Sequence, residues 1–468
     1  MKIERLKSIL LIILVISSIV LTANKLYSKE LWPEGYSFFS NVKNYFSGNK
    51  KNETSTFNPN EEVLNPAKII INNLNNHILF TKSSENYNTI CPEIKEILNI
   101  CFKTKSSSVS DIKEWNDHLQ SKSCYFSYPV MYDSSYFASQ LSQKYSGKID
   151  HFKEFIITND QRLPSVMYVY IKDAETDAVE KIKINYESTS INFLLDKSEI
   201  TSNDINYYSF ELNFDTNTDE SVEEHVIIDH DVLINIAEKK ANAINETNLF
   251  SNIASNINLY SNILPYFNYN TSNIRKYVES DNSIVFVENY GTLKLHSNGK
   301  LEYLSIDEGK GIDLNADSIN DCLNSCITFA NDITSLMNND NSMYFEISSD
   351  IHDISSKTFT LTFDYYIYDN KIIIPNDLYT QKNAIEITVV NGKIVSYNQI
   401  FVSFAPSQEF ISCGSAIDAI DQLEKHTETV ADIFIAYIYD NNNSRYLPLW
   451  NIEDSKGNIT TISPKSEV

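Results

Sequence analysis

The chain has 468 residues, of which 42 % are hydrophobic and 12 % aromatic. This composition is sufficient for several packed cores and excludes an intrinsically disordered chain. The formal net charge of −24 disfavours nucleic acids and anionic wall polymers as partners, because an acidic surface repels them. At roughly 150 residues per domain, the length predicts about three domains.

Residues 1–28 predict a cytoplasmic head followed by a single membrane anchor. The cations Lys2, Arg5 and Lys7 precede the uncharged stretch 8–23. A helix of that length is just long enough to cross one bilayer, and a basic head favours the cytoplasmic side. The remaining bulk is then extracytoplasmic. The apolar anchor residues are Ile9, Leu10, Leu11, Ile12, Ile13, Leu14, Val15, Ile16, Ile19, Val20 and Leu21.

A cleaved signal peptide is the main alternative for this segment, but cleavage after Ala23 would place bulky Leu21 where a small residue is needed. The first cysteine is Cys91, which excludes a lipoprotein signal. A buried helix is disfavoured because the stretch is apolar on all sides. Ser18 and Thr22 place two small residues on one helix face, where another membrane helix could approach closely. Ordinary lipid-facing hydroxyl groups are the alternative.

Residues 29–60 predict a juxtamembrane segment that ends in a polar linker, and residues 61–200 predict a first α+β domain. Strands are expected at 68–72, 77–81, 124–130, 155–158, 167–172 and 181–186. Helices are expected at 92–102 and 111–120.

Residues 201–314 predict a middle α+β domain. A helix is expected at 233–243, followed by an Asn-rich helical stretch to about residue 264. Three strands at 283–288, 292–296 and 300–305 are separated by turns that contain Gly291 and Gly299. Asn-Gly between alternating apolar stretches is a strong hairpin signal, so we predict an antiparallel meander.

Residues 315–468 predict a C-terminal α+β domain. Apolar residues at helical spacing indicate a helix over 317–337, with Asn315 or Asp317 as its N-cap. Strands are expected at 343–348, 358–368, 371–374, 384–390 and 394–404, then a short helix at 416–425 and a closing pair at 433–439 and 446–452. The predicted fold class is therefore α+β, a transmembrane helix followed by about three domains with antiparallel sheets and helices on one face.

Six cysteines are present, and Cys322 and Cys326 lie four apart on the predicted helix. Disulfide geometry across one helical turn is poor, so we predict buried small hydrophobic residues. A calcium-loop start at Asp215, Asn217 and Asp219 lacks the glycine and the final glutamate that such a loop needs.

Two acidic clusters, residues 223–225 and 229–231, contain His225 and His230. Zinc or manganese could use such a composition, but residues 226–228 indicate a strand that points the two histidines to opposite faces. Solvated polar residues flanking a strand are the preferred interpretation. The chain also lacks a nucleophile elbow, a Walker loop and a dinucleotide-binding fingerprint. We therefore predict no enzyme activity and no catalytic, cofactor-binding or metal site.

The sequence resembles the YycH family of Gram-positive regulators over nearly its full length. The resemblance is carried by the head 1–10 running into 15–22, by 264–267 with 274–277, by the turn 298–303, and by 436–437 followed by 447–450. It implies a single-pass extracytoplasmic protein of three domains that modulates the cell-wall sensor kinase WalK (YycG). The implied partners are a WalK-like kinase, a YycI-like membrane protein and the bilayer.

Arg275 and the exposed sheet edges are the expected ectodomain contacts, with local capping or pairing within a helix as the alternative for Arg275. Two other functions stay open, an extracellular ligand-binding receptor domain and a secreted hydrolase. The receptor predicts an apolar pocket of several hundred cubic ångströms with convergent polar groups. The hydrolase predicts a cleft with paired carboxylates of perturbed pKa.

Overall fold

A computed structural model describes residues 57–463, apart from residues 75, 106, 161, 164, 189, 197–205, 215–225, 254–255, 270–273, 338–342, 352–353, 355 and 424–428. The predicted anchor, the linker up to residue 56, the calcium-like loop and His225 lie outside these residues.

The first structural unit is a seven-stranded antiparallel sheet with the strand order β2-β1-β4-β5-β6-β7-β3. Its strands are β1 (Lys68–Asn73), β2 (Asn76–Phe80), β3 (Ser107–Ser110), β4 (Ser123–Asp133), β5 (His151–Asn159), β6 (Val166–Asp173) and β7 (Val179–Asn185). Its helices are α1 (Pro59–Leu64), α2 (Glu85–Lys103), α3 (Ile112–Leu119), α4 (Ser134–Gln140) and α5 (Ser190–Asp196).

Helices cover both faces of this sheet. Ile69 and Ile71 lie in one core with the apolar side of α2, whereas Ile70 packs on the opposite face with Trp115 of α3. The expectation of helices on one face is therefore wrong for this unit. The physical reason is the three consecutive isoleucines of β1, residues 69–71, since a strand with both faces buried needs cover on both sides.

A two-stranded ribbon, β8 (Asn206–Tyr208) and β9 (Leu233–Asn235), follows the first unit. The rest of the described chain builds a fifteen-stranded sheet with α6 (Ile257–Ile263), α7 (Ile319–Ser335) and α8 (Ala416–Ile420). Its strands are β10 (Lys239–Asn248), β11 (Arg275–Val278), β12 (Ile284–Val287), β13 (Gly291–Leu295), β14 (Lys300–Ser305), β15 (Ile312–Asp313), β16 (Met343–Ile347), β17 (Phe359–Ile367), β18 (Asn370–Ile372), β19 (Ile385–Val390), β20 (Lys393–Ile400), β21 (Val402–Gly414), β22 (Val430–Asp440), β23 (Arg445–Asp454) and β24 (Ile459–Ile462).

The large sheet has the order β11-β12-β13-β14-β20-β19-β17-β18-β22-β23-β10-β21, with β15, β16 and β24 attached at its sides. Nearly all of its pairs are antiparallel, and β18 with β22 is parallel. Helix α7 buries Cys322, Leu323, Cys326, Ile327, Ala330 and Ile333. Phe329 of α7 packs edge-on against Tyr397 of β20 at 5.2 Å between ring centroids. The mixed α+β class with antiparallel sheets is confirmed.

The predicted boundary between residues 314 and 315 falls within this sheet. Strand β14 pairs with β20 from Lys300 opposite Ile400 to Leu304 opposite Ser396, and β10 pairs with β21. The middle and C-terminal segments therefore share one set of backbone hydrogen bonds. The division of the chain into three domains stays a prediction.

Most predicted elements are present. The hairpins joining β12, β13 and β14 are confirmed, as is α7, although its N-cap is Ser318 rather than Asn315 or Asp317. The helix expected over residues 233–243 is wrong. That segment forms β9 and the start of β10, because pairing with β21 and β23 outweighs its local helical pattern.

Two C-terminal elements are shorter than expected. The strand predicted over residues 394–404 divides into β20 and β21 at Phe401, whose buried ring stacks on Phe250 at 4.9 Å. The helix predicted over 416–425 ends at Ile420.

The turn at Gly299 requires a positive φ, a backbone conformation that residues with a Cβ rarely adopt. Its φ is +99°, and an added Cβ would lie 2.7 Å from Val402 Cγ1. We expect Gly299→Ala to lower the free energy of unfolding by about 1–3 kcal/mol. Gly309→Ala is the control, because the nearest atom there is a carboxylate oxygen of flexible Asp307 at 3.2 Å. Urea unfolding measures both, and equal losses would contradict this account of the turn.

Candidate functional site

Lys82 joins the first unit to the large sheet. Its Nζ lies 3.0 Å from Glu62 Oε1 of α1 and 3.0 Å from Glu346 Oε1 of β16. Burial alone would lower the pKa of Lys82, but the two carboxylates outweigh burial and raise it. Burial raises the pKa of Glu346, and Lys82 opposes this shift. One ammonium group therefore serves two carboxylates in a mostly buried contact, which leaves a surplus negative charge.

Asp369 extends this contact. It occupies a tight turn between β17 and β18 with φ of +63°. Its carboxylate accepts hydrogen bonds from Thr81 Oγ1 at 2.6 Å, from the Ser83 amide at 3.1 Å and from the Tyr344 hydroxyl at 3.0 Å. The turn after β2 is thus held by Asp369 as well as by the pair of Lys82 with Glu346.

Backbone hydrogen bonds also cross between the two units. The Asp133 amide donates to the Ile351 carbonyl, and the Ile351 amide donates to the Met131 carbonyl, each at 2.8 Å. Residue 351 therefore acts as one rung added to β4 in a parallel sense. Such bonds fix the alignment of the two units at this point.

A second ionic cluster links β5 and β6 to the segment before β9. Lys172 Nζ lies 2.6 Å from Glu154 Oε2 and 2.8 Å from Asp231 Oδ2, and 5.3 Å from the centre of the Trp115 ring. Burial and the neighbouring Asp231 raise the pKa of Glu154, whereas Lys172 opposes them. Burial also acts to raise the pKa of Asp231, but Lys172 outweighs it and the net shift is downward.

The segment that contains Asp231 is also hydrogen-bonded to the C-terminal hairpin, which is formed by β22 and β23. The Asp229 amide donates to the Val430 carbonyl at 2.8 Å, and the Val430 amide donates to the Ile227 carbonyl at 2.9 Å. Asp231 is therefore a structural ion-pair partner, and its interpretation as a solvated flanking residue is wrong. His230 stacks on Phe210 at 4.3 Å, and the strand expected over 226–228 is reduced to a single bridge at Ile228.

These carboxylate pairs are what the hydrolase hypothesis predicts by composition, but their geometry favours a structural role. Each pair is bridged by a lysine ammonium group and lies where two chain segments meet. Such an arrangement can hold two chain segments together, and the strength of the contact changes when a carboxylate takes up a proton. Sequence reasoning missed Lys82, Glu346, Glu154 and Lys172, because their partners are distant in the sequence.

A cavity of about 300 Å³ lies between α4, α7 and residue 351. Apolar side chains line it together with Asp133, Tyr136 and Asn320. Asp133 accepts from the Tyr136 amide at 2.7 Å, the Tyr136 hydroxyl contacts Asn324 at 3.3 Å, and Asn320 donates to Ser139 at 2.8 Å. The volume is at the lower end for a small-molecule site, and its polar groups already have protein partners.

Arg275 lies on an exposed edge of the large sheet. It begins β11, the terminal strand, and all four residues of that strand are exposed. The alternative that placed Arg275 in a helix is therefore wrong. Two separate expectations, Arg275 and an exposed sheet edge, coincide in one element. Whether this edge is a contact surface stays a prediction.

The other predicted site features can be placed briefly. All six cysteines are free and buried, which confirms that Cys322 and Cys326 fill the core. Among the described residues, His, Cys, Asp and Glu side chains form no cluster suited to a metal ion. Lys2, Arg5, Lys7, Ser18, Thr22 and the apolar anchor residues lie outside the described chain. Within the described part, no helix combines the length and apolarity needed to cross a bilayer.

Comparison with known proteins connects the chain to one solved fold. No protein-family model matches it, and curated proteins give no significant sequence match. Its structure is similar to that of YycH from Bacillus subtilis, with a TM-score of 0.56 over 86 % of this chain and 96 % of that chain. Sequence identity is 11 %, so the similarity establishes the shared fold alone. The resemblance noted in the sequence is confirmed at the level of the fold.

Neutralising Glu154 should change how stability depends on pH. The pKa of Glu154 is higher in the folded protein than in the unfolded chain, where it is about 4.3. Its contribution to stability is therefore fully present below pH 4.3 and is lost as the pH rises through the folded-state pKa. Relative to Glu154→Gln, the wild-type protein should therefore lose stability as pH rises. Urea unfolding across that range measures the difference, with Glu187→Gln at an exposed loop position as the control. A pH-independent difference would contradict the assigned shift.

Proposed function

We propose that this chain is a membrane-anchored extracytoplasmic regulator that modulates a cell-wall-sensing histidine kinase. The observation that carries the proposal is the fold shared with YycH over 86 % of this chain and 96 % of that one. The sequence resemblance to YycH regulators supports the same role independently. The N-terminus is cytoplasmic and the folded bulk lies outside the cell membrane in this proposal.

The anchor is the first contact that the proposal assigns. Residues 8–23 form the span, and the basic residues Lys2, Arg5 and Lys7 hold the head inside. Ser18 and Thr22 face a neighbouring membrane helix of the kinase or of a YycI-like partner. A helix packed beside a kinase can favour one of two signalling states if its contact energy differs between them by a few kcal/mol. Each difference of about 1.4 kcal/mol changes the ratio of the two states tenfold.

The ectodomain supplies the second contact. Arg275 and the edge strand β11 are the proposed surface, because the strand is terminal and exposed. The Lys82 cluster links the first unit to the large sheet, and the Lys172 cluster links the first unit to the segment before β9, so a contact on one part can influence the other. No catalytic role is proposed, because the buried carboxylate pairs are committed to lysines.

The cavity between α4 and α7 favours a ligand-binding receptor as a second candidate function. Its volume of about 300 Å³ and its mixed lining are compatible with a small ligand. Its position between the two units would let a ligand alter their contact. Against this, Asp133, Tyr136 and Asn320 already bond to protein groups.

Altering the membrane contact should change kinase output without unfolding the ectodomain. We expect replacement of residues 2–23 by an unrelated anchor, and the double substitution Ser18→Leu and Thr22→Leu, to shift a reporter of kinase activity severalfold. Ser17→Leu is the matched control, because residue 17 lies about 100° around the helix from residue 18. Resistance of the ectodomain to added protease shows that it remains folded. Unchanged output for both alterations would contradict the proposed role of the anchor.

A further inference from the structure

Among the described residues, no strand pairs with the outer edge of β11. Its inner side pairs with β12, with Arg275 opposite Val287 and Tyr277 opposite Val285. The Glu279 amide donates to the Ser283 carbonyl at 2.9 Å, which places residues 275, 277 and 279 in the inward-bonding phase. Because the phase alternates along an antiparallel strand, the amides and carbonyls of Lys276 and Val278 point outward.

We infer that β11 pairs antiparallel with β11 of a second copy of this chain, about a two-fold axis at Tyr277. This inference rests on the proposed function only for the choice of β11 as a contact surface. In this register Lys276 lies opposite Val278 of the second copy. Their outward amides and carbonyls then form four hydrogen bonds across the dimer, two around each Lys276–Val278 pair. The backbone of the edge is complementary to itself.

The side chains favour the same register. A two-fold axis at Tyr277 places Arg275 opposite Glu279 of the second copy, and does so twice. Among the described residues, no carboxylate forms an ion pair with Arg275. Glu279 Oε2 lies 2.8 Å from Lys294 Nζ, and the Glu279 side chain is 44 % exposed, so its second oxygen remains accessible. Unlike charges therefore meet at both ends of the pairing.

The pairing also covers exposed apolar surface. Tyr277 and Val278 are 57 % and 54 % exposed. In the inferred dimer the two Tyr277 rings lie side by side, and the aliphatic part of Lys276 covers Val278 of the second copy. The Lys276 ammonium lies 4.5 Å from the centre of the Tyr260 ring of its own chain, so it folds back over α6. An exposed edge of this kind is otherwise a liability for uncontrolled association.

Moving the two-fold axis by one residue, from Tyr277 to Lys276, is unfavourable. With the axis at Lys276, the two Lys276 side chains would oppose each other, and Arg275 would face Tyr277 instead of a carboxylate. The net charge of −24 repels two copies at long range, but residues 275–279 carry two cations and one carboxylate. Between the two edges, the pairs of Arg275 with Glu279 of the second copy oppose this repulsion at short range. At an ionic strength of 0.1 M the long-range repulsion is screened beyond about 10 Å.

Cysteine cross-linking of the full chain in membranes tests the register directly. Facing residues of a non-hydrogen-bonded antiparallel pair lie within disulfide distance, so Tyr277→Cys should yield a disulfide-linked dimer on mild oxidation. Val278→Cys is the matched control, because it is similarly exposed but points to the other face and lies farther from its own copy. The six native cysteines are buried, which keeps background cross-linking low. Cross-linking at neither position, or equally at both, would overturn the inference.

Charge exchange between differently tagged copies provides the second test. Arg275→Glu alone and Glu279→Arg alone each place like charges opposite each other twice, and should weaken self-association on the order of tenfold. A mixture of the two variants restores unlike pairs and should recover co-purification. No recovery would overturn the pairing. Loss of kinase regulation in Arg275→Glu, with no dimer in the wild-type protein, would reject the inference while leaving the proposed function in place.

Discussion

The structure depends on the buried ionic contact through which Lys82 holds Glu62 and Glu346 together. Removing the ammonium group would leave the buried carboxylate of Glu346 without its cation, and breaking a buried ion pair in this way costs about 3–5 kcal/mol. The contact joins segments that are more than 260 residues apart in the chain, and Asp369 and the backbone bonds of Ile351 lie around it. The Lys172 cluster repeats the same arrangement on the other side, with Glu154 and Asp231. Lys68 and Asp432 form a further, half-exposed pair at 2.8 Å between β1 and β22, which adds less by comparison.

The proposed function requires that the described parts of the chain be held in fixed relation to one another. A regulator that touches a membrane partner at one end and an ectodomain partner at another needs a body that keeps the two contacts in fixed relation. Shared strands supply part of that body, since β14 pairs with β20 across the predicted boundary at residue 314. The lysine clusters add side-chain ion pairs between parts of the chain that share no strands. The terminal strand β11 remains exposed at the edge of this body, and it is the surface that we propose for a partner.

Local signals predicted the local structure well. The glycines of the β12–β13–β14 turns and the apolar spacing of α7 gave the correct elements, because turn conformation and helix periodicity are properties of neighbouring residues. The helix expected over residues 233–243 failed because long-range pairing with β21 decides that segment. Arg275 was singled out from the family resemblance, and its role as a contact stays a prediction. Lys82 and Lys172 were not singled out, because a lysine that will be buried by distant carboxylates carries no local mark of it. The three consecutive isoleucines of β1 do indicate burial on both faces, so this feature could have been predicted from the sequence.

The most direct test of whether the first unit and the large sheet unfold together is equilibrium unfolding monitored by the fluorescence of two tryptophans. Trp115 lies in the first unit and Trp450 in the large sheet, and the chain has three tryptophans in all. With Trp32 replaced by Phe, variants that keep only Trp115 or only Trp450 report on the two parts separately. The account predicts that in each variant the fluorescence transition in urea coincides with the loss of secondary structure measured by circular dichroism. A Trp115 transition that is complete while the Trp450 signal remains native would contradict it.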